Sequence, residues 1–269
     1  MSTGSHASKS LLQAGRDAGA VLRGIELQGR QFWADLHAEH VQQIDSTNTE
    51  LMRRAHAGAA QPVLLVADRQ SAGRGRLGRV WHGGGEGRPA ALTFSIGLAL
   101  ELKDWAGLSL AVGVSVAQSL HPQVRLKWPN DLWWQDRKLG GILIETAHLG
   151  ERRYTVIGIG INVAQPEAAD LATAPAWLRE LQPQADALGA LQQIACPLLQ
   201  ALRRFEREGF GAFRDDFAAR DALAGRAVSL SDGTQGQAQG VGENGALLVH
   251  TAQGLRAINS AEVSVRPAH

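Results

Sequence analysis

Cysteine is nearly absent from this sequence: Cys196 is the only one in 269 residues. No internal disulfide can form, and a reducing compartment is expected. An excess of one charge sign is missing too. Lys plus Arg total 27 against 26 Asp plus Glu, a formal net charge of +1. There is no global basic field of the kind a dedicated nucleic-acid binder carries. No apolar run is long enough to span a bilayer, and the polar N-terminus lacks the apolar core of a secretory leader. A cytoplasmic protein is expected, with no membrane partner. What is present is ordinary for a globular chain: 44% hydrophobic and 20% charged residues. The length suits one large domain, or one with a small appendage, and a sizeable core.

Gln70 to Trp81 is the most unusual stretch. Arg74, Arg76 and Arg79 alternate with Gly73, Gly75 and Gly78 directly after the apolar run Val63 to Val66. Glycine lets backbone N–H groups approach a ligand, and the arginine fork fits phosphate or carboxylate. A loop that closes over an anion is expected; a solvated basic turn is the plainer alternative. Gly73-x-Gly75-x-x-Gly78 also matches a dinucleotide fingerprint, but that motif needs a helix to start at the loop. Gly83, Gly84, Gly85, Gly87 and Pro89 follow instead, and then a strand over 91–99. A phosphate-binding P-loop fails as well, because no Gly-Lys-Ser/Thr closes the glycines.

Around this loop the pattern alternates between strands and helices. Residues 1–10 read as frayed, and 11–27 as a helix or a partly ordered lead-in weakened by Gly15, Gly19 and Gly24. Ser46, Thr47 and Asn48 precede Leu51, with Thr47 and Glu50 at capping-box spacing, so a helix is expected over 49–57. The same hydroxyls and amide suit a small polar ligand head. An apolar helix over 108–120 follows, then strands near 124–128, 132–135, 138–145 and 154–162. Gly140-Gly141 and Gly158-x-Gly160 suggest close backbone approach. Helical periods return at 176–181 and 187–217, with Arg203, Arg204 and Arg207 on the wet side and Cys196 in the core. From about Ala222, short strands separated by Asp232-Gly233, Asn244-Gly245 and Gln253-Gly254 indicate a small β-barrel-like unit.

The chemistry-bearing residues cluster in the strand–turn–strand unit 124–145. It can aim Lys138, Asn130 and Asp131 at one end of the sheet. A lysine there would hold a carboxylate beside a phosphorus centre and offset the repulsion of two anions; a surface lysine is the alternative. Asp131 fits a Mg²⁺ ligand, an acceptor for a ligand N–H, or a turn cap. Trp128, Trp133 and Trp134 read as core. His37 and His40, one helical turn apart, lack a third metal ligand.

The ordered motifs Asp45-Ser-Thr-Asn48, Gln70 with Gly73 to Arg79, Lys127-Trp-Pro-Asn-Asp131, Lys138 to Glu145 and Gly158-x-Gly-Ile-Asn162 resemble those of biotin–protein ligases, from about residue 44 to 266. The resemblance implies an α+β fold: a mixed sheet flanked by helices, related to class II synthetases, plus an SH3-like barrel. The implied division is a lead-in over 1–40, a catalytic domain over 41–221 and the barrel over 222–269. It implies a two-step reaction: biotin and MgATP give biotinyl-5′-AMP, which then modifies a lysine of a biotin carboxyl carrier protein, as in acetyl-CoA carboxylase. Biotin would be held by positions matching Ser46, Thr47, Asn48, Gln70, Gly75 and Arg76, with Arg74 and Arg76 over carboxylate and α-phosphate. Lys138 would bridge them, making Lys138, Arg74 and Arg76 the catalytic set. Asn130, Asp131, Asn162 and Arg266 would lie on the ATP side, with Asp131 the candidate for Mg²⁺. Leu77 replaces an arginine common in some members. No recognition-helix pattern precedes residue 45, so a ligase without DNA binding is expected, as a monomer or weak homodimer. A lipoate or octanoate ligase and a biotin-sensing repressor are the competing readings.

Overall fold

The computed structural model describes residues 7–81, 90–149, 152–166, 173–259 and 265–267, with side chains from Ala18 onward. The glycine run 82–89 and residues 263–264 ahead of Arg266 lie outside the described residues, as do residues 1–6.

The chain opens with α1 (Ala7–Gly29). Its glycines cost helix propensity, yet Leu22 and Ile25 join the main core, and burial outweighs that cost. Next come β1 (His37–Ile44), α2 (Thr47–His56), β2 (Val63–Gln70), β3 (Ala91–Ala99) and α3 (Leu108–Leu120). The strand–turn–strand unit then supplies β4 (Arg125–Lys127), β5 (Asp131–Trp134), β6 (Arg137–Leu149) and β7 (Arg152–Asn162). These strands form one mixed sheet in the order β1-β2-β3-β7-β6-β5-β4, in which β1 and β2 are parallel and the other pairs antiparallel.

Alternation along the central strands separates two faces. Phe94 and Ile96, Ile157, Ile159 and Ile161, and Ile142 point into the core that α1, α3 and α4 (Ala187–Glu208) cover. The opposite face carries α2, packed through Leu51 and Ala55 on Val63, Leu65, Tyr154 and Val156. Where Leu51 and Ala55 do not reach, that face presents Thr93 of β3, Gly158 and Gly160 of β7, and Gly141 and Leu143 of β6, with Ser95 of β3 buried beneath the start of α2. A cleft forms there because its floor is largely backbone.

Several expectations are corrected. The helical period over 187–217 is not one helix: Gly209, at φ +67°, ends α4, and a 3-10 turn (Phe210–Phe213) and α5 (Arg214–Ala218) follow. Residues 176–181 supply only the 3-10 turn Leu178–Glu180. His37 and His40 lie on β1, not on a helix, and bond to Glu26 and Asp68 respectively. Arg203 is not simply wet; its guanidinium stacks 3.9 Å from the Trp33 ring centre and donates to the Phe32 carbonyl. Cys196 is half-buried rather than core, its thiol 3.2 Å from Gln28 Oε1 and pushed up in pKa by burial.

The C-terminal strands β8 (Ala227–Leu230), β9 (Gln235–Val241), β10 (Leu247–Thr251), β11 (Gly254–Ile258) and β12 (Val265–Pro267) form a second sheet, ordered β11-β10-β9-β8-β12. It is tied to the strand–turn–strand unit: buried Trp128 donates from Nε1 to the Gly245 carbonyl at 3.0 Å, and Arg226 pairs with Asp136 at 2.6 Å.

Candidate active site

The cleft encloses about 390 Å³. It crosses β3, β7, β6 and β5, three interstrand steps or about 14 Å. Its two ends differ in chemistry.

The first end is neutral and hydrogen-bonding. Ser46, not Thr47, caps α2; its Oγ accepts from the Thr49 N–H at 3.3 Å. Glu50 pairs with Arg53 and Arg54 instead of closing a capping box. Thr47 and Asn48 therefore fall in the first helical turn, which faces the sheet. The Thr47 N–H donates to Gln70 Oε1 at 2.7 Å, at the end of β2. Ser95 Oγ lies 2.7 Å from Thr47 Oγ1 and 2.6 Å from Asn48 Oδ1. Asn48 Nδ2 donates to Glu145 Oε2 at 2.9 Å and, more weakly, to the Leu143 carbonyl at 3.3 Å. A Cβ on Gly158 would overlap Asn48 Oδ1 and stand 2.8 Å from its Cγ; one on Gly160 would stand 2.6 Å from Trp81 Cζ2. These two glycines are the condition for Asn48 and Trp81 to lie on the sheet.

The second end is cationic. Arg76, Arg79, Lys127, Lys138 and Arg266 line the cleft there against one carboxylate among the described residues, Asp131. A bulge where β6 pairs with β5, between Leu132 and Trp133, puts an extra residue in β6. The alternation shifts by one, and Lys138 falls on the same face as Gly141, whose added Cβ would lie 3.4 Å from Lys138 Nζ. Lys138 Nζ contacts Asp131 Oδ1 at 2.7 Å, and Lys127 Nζ lies 3.7 Å from Oδ2. Burial pushes the Lys127 ammonium below the ordinary lysine value, and neighbouring Lys138, Arg79 and Arg266 add to that while Asp131 opposes it. Arg76 is lowered by burial for the same reason. Unscreened like charges in a half-buried cleft favour an incoming anion.

The glycine–arginine loop has a defined shape. The Gly75 N–H donates to the Arg79 carbonyl at 2.7 Å and the Trp81 N–H to the Gly73 carbonyl at 2.9 Å, folding the segment back on itself. Arg76 reaches Asn130 Oδ1 at 3.3 Å, while Asn130 Nδ2 holds the Ile142 carbonyl at 2.8 Å. Arg74, expected over carboxylate and phosphate, lines the cleft and pairs with Glu145 at 2.8 Å. Asn162, expected on the nucleotide side, lines the cleft but donates to the carbonyls of Lys138 and Ala176; it fixes the backbone from which Lys138 projects. Arg266, on β12, brings the C-terminal sheet to the cleft.

Ser46, Thr47, Asn48, Gln70, Arg74, Gly75, Arg76, Asn130, Asp131, Lys138, Asn162 and Arg266 all line this one cleft. Sequence reasoning missed Ser95 and Glu145 as site residues. Ser95 sits in an apolar strand with no motif around it, and Glu145 passed as the end of one. The donor set does not match a protein-held divalent cation. No three His, Cys, Asp or Glu side chains converge among the described residues, and Asp131 faces two ammonium groups.

The comparisons with known proteins agree with this geometry. Residues 40–162 match the family model described as "Biotin/lipoate A/B protein ligase family", and residues 225–266 match "Biotin protein ligase C terminal domain". The bifunctional ligase/repressor BirA of Escherichia coli is 35% identical over 240 residues, covering 84% of this chain and 73% of that protein. The biotin–[acetyl-CoA-carboxylase] ligase of Paracoccus denitrificans is 31% identical, covering 81% and 96% respectively. Among solved structures, the biotin protein ligase from Aquifex aeolicus in complex with biotin and ATP superposes with a TM-score of 0.73 at 30% identity, over 86% of this chain and 99% of that one. The mixed sheet flanked by helices is thus the expected fold, and with relatives at 30–35% identity matched over 73% to 99% of their length the chain belongs to the biotin protein ligase family.

Proposed function

We propose that this protein activates biotin with ATP as biotinyl-5′-AMP and transfers the biotinyl group to a lysine of a carboxyl carrier domain. The observation that carries the reading is the polarity of the cleft: a neutral hydrogen-bonding end joined to a cationic end at the Lys138–Asp131 pair. A ureido ring needs both donors and acceptors, and Ser46, Thr47, Asn48 and Gln70 supply both. The carboxylate tail then points toward Lys138. Triphosphate meets Arg76, Arg79, Lys127 and Arg266 at the other end.

In the first step a carboxylate oxygen of biotin attacks the α-phosphorus, the bond to the β-phosphate oxygen breaks, and pyrophosphate leaves. Lys138 and Arg76 stabilise the charge that accumulates between two anions. In the second step the carrier's neutral lysine amine attacks the acyl carbon, AMP leaves, and an amide forms with loss of one proton. Between the steps the loop keeps water from the mixed anhydride. Magnesium would come as part of the MgATP substrate, its charge offsetting that of the phosphates. A reducing cytoplasm suits the single cysteine.

The test is pyrophosphate release from biotin and ATP, followed by transfer to a purified carrier domain detected with streptavidin. Labelling by lipoate but not biotin would overturn the reading in favour of a lipoate ligase, whose ring has no use for the polar end.

A further inference from the structure

Glu145 lies beyond the cleft lining, on the same face of β6 as Gly141 and Leu143. Its side chain is 21% exposed and each carboxylate oxygen has its own partner. Oε1 accepts from Arg74 at 2.8 Å and Oε2 from Asn48 Nδ2 at 2.9 Å. Arg74 belongs to the loop, and Asn48 to the helix start that builds the neutral end. Arg74 also approaches Thr49 Oγ1 at 3.4 Å, so the contact spans loop, helix and sheet.

The carboxylate also sets the direction of a hydrogen-bond chain. An ionised carboxylate only accepts, so the Asn48 amide must turn its NH₂ toward Glu145 and its Oδ1 toward Ser95. Ser95 has one proton and must give it to Asn48 Oδ1, 2.6 Å away. Ser95 Oγ is then an acceptor toward Thr47 Oγ1, 2.7 Å away. The Thr47 hydroxyl also reaches Gln70 Oε1 at 3.1 Å, an amide oxygen that can only accept, so Ser95 and Gln70 compete for its one proton while its free lone-pair capacity stays available to a donor in the cleft. A neutral amide in place of Glu145 would remove the charged acceptor and leave only the Leu143 carbonyl, 3.3 Å from Asn48 Nδ2, to hold the orientation of the chain.

We propose that Glu145 is a positioning residue: it latches the glycine–arginine loop through Arg74 and orients the Asn48–Ser95–Thr47 chain of the head-group end. It rests on the biotin-ligase reading above. The latch ties loop closure to correct occupation of the neutral end, and so governs how long the adenylate is retained.

The test measures release of biotinyl-5′-AMP from wild type, Glu145→Gln, Arg74→Gln and the double variant, with biotin KM and kcat for adenylate formation. The substitution at Glu145 keeps the shape and removes the charge. Loss of one charge-assisted bond predicts release about tenfold faster and a raised biotin KM, with kcat changed less. In the Arg74→Gln background the effect of Glu145→Gln on release must shrink, because the latch is already open. An equal effect in both backgrounds, or wild-type retention in Glu145→Gln, overturns the proposal. Should Glu145→Gln not fold, Arg74→Gln, altered at a half-exposed side chain, must itself speed release; wild-type retention there overturns the latch. Failure of wild type to make any adenylate would instead overturn the functional reading.

Discussion

Replacing Gly158 with alanine tests the cleft at its floor. The new Cβ would stand 2.8 Å from Asn48 Cγ and 3.1 Å from its Nδ2, and would overlap Oδ1. The obstacle is a side chain pinned at three points, by Ser95, Glu145 and the Leu143 carbonyl. Neutral hydrogen bonds contribute about 1 kcal/mol each and one to a carboxylate about 2. Eviction of the amide thus costs about 3 to 4 kcal/mol. The smaller unfolded-state entropy of alanine returns about 0.5 kcal/mol. A net loss of about 3 kcal/mol leaves a domain of about 5–15 kcal/mol folded, but lowers Tm by about 6–12 °C. The neutral end is disrupted directly, so biotin KM should rise at least tenfold while ATP binding at the other end changes little. Calorimetric melting and a biotin titration of pyrophosphate release read both effects. A Gly158→Ala protein that melts within about 2 °C of wild type, with an unchanged biotin KM, would show that Asn48 is not held as described.

The other predictions concern charge. Lys138→Ala should slow adenylate formation by about 10²–10³-fold, the usual cost of losing one group that stabilises transition-state charge; single-turnover pyrophosphate release measures it, and a wild-type rate would contradict the assigned role. Arg76→Ala should loosen adenylate retention, read as faster hydrolysis of biotinyl-5′-AMP in the absence of carrier. Asp221→Asn probes the junction between the sheets. Burial raises the Asp221 carboxyl above its ordinary 3.8, and Oδ2 is buried with no hydrogen-bond partner among the described residues. A folded pKa above the unfolded one stabilises at low pH, and that stability is lost as pH rises through the folded pKa. Wild type should therefore gain melting temperature relative to Asp221→Asn as pH falls from 7 toward 4; a constant difference would refute the shift.

Much was legible in the sequence because it was local. The apolar stretches expected as strands became β3 and β7, and the Ala- and Val-rich apolar stretch became α3; the tight turn expected at Asp136-Arg137 falls one residue earlier, at Gln135-Asp136, where both residues adopt positive φ. The cleft residues were recognisable as five ordered motifs, each short enough to be fixed by its own backbone geometry. Ser95 and Glu145 were not, because their roles depend on which strands become neighbours. Ser95 gains meaning only when β3 pairs with β7 beneath the start of α2, and Glu145 only when Arg74 folds back over β6. The same holds for the partner of Arg74: sequence specified a flexible cationic loop, and tertiary packing chose the carboxylate it meets. Periodicity settles which face a side chain takes; long-range strand order and a single bulge decide what that face looks upon, since hydrogen bonds and ion pairs act only over a few ångströms.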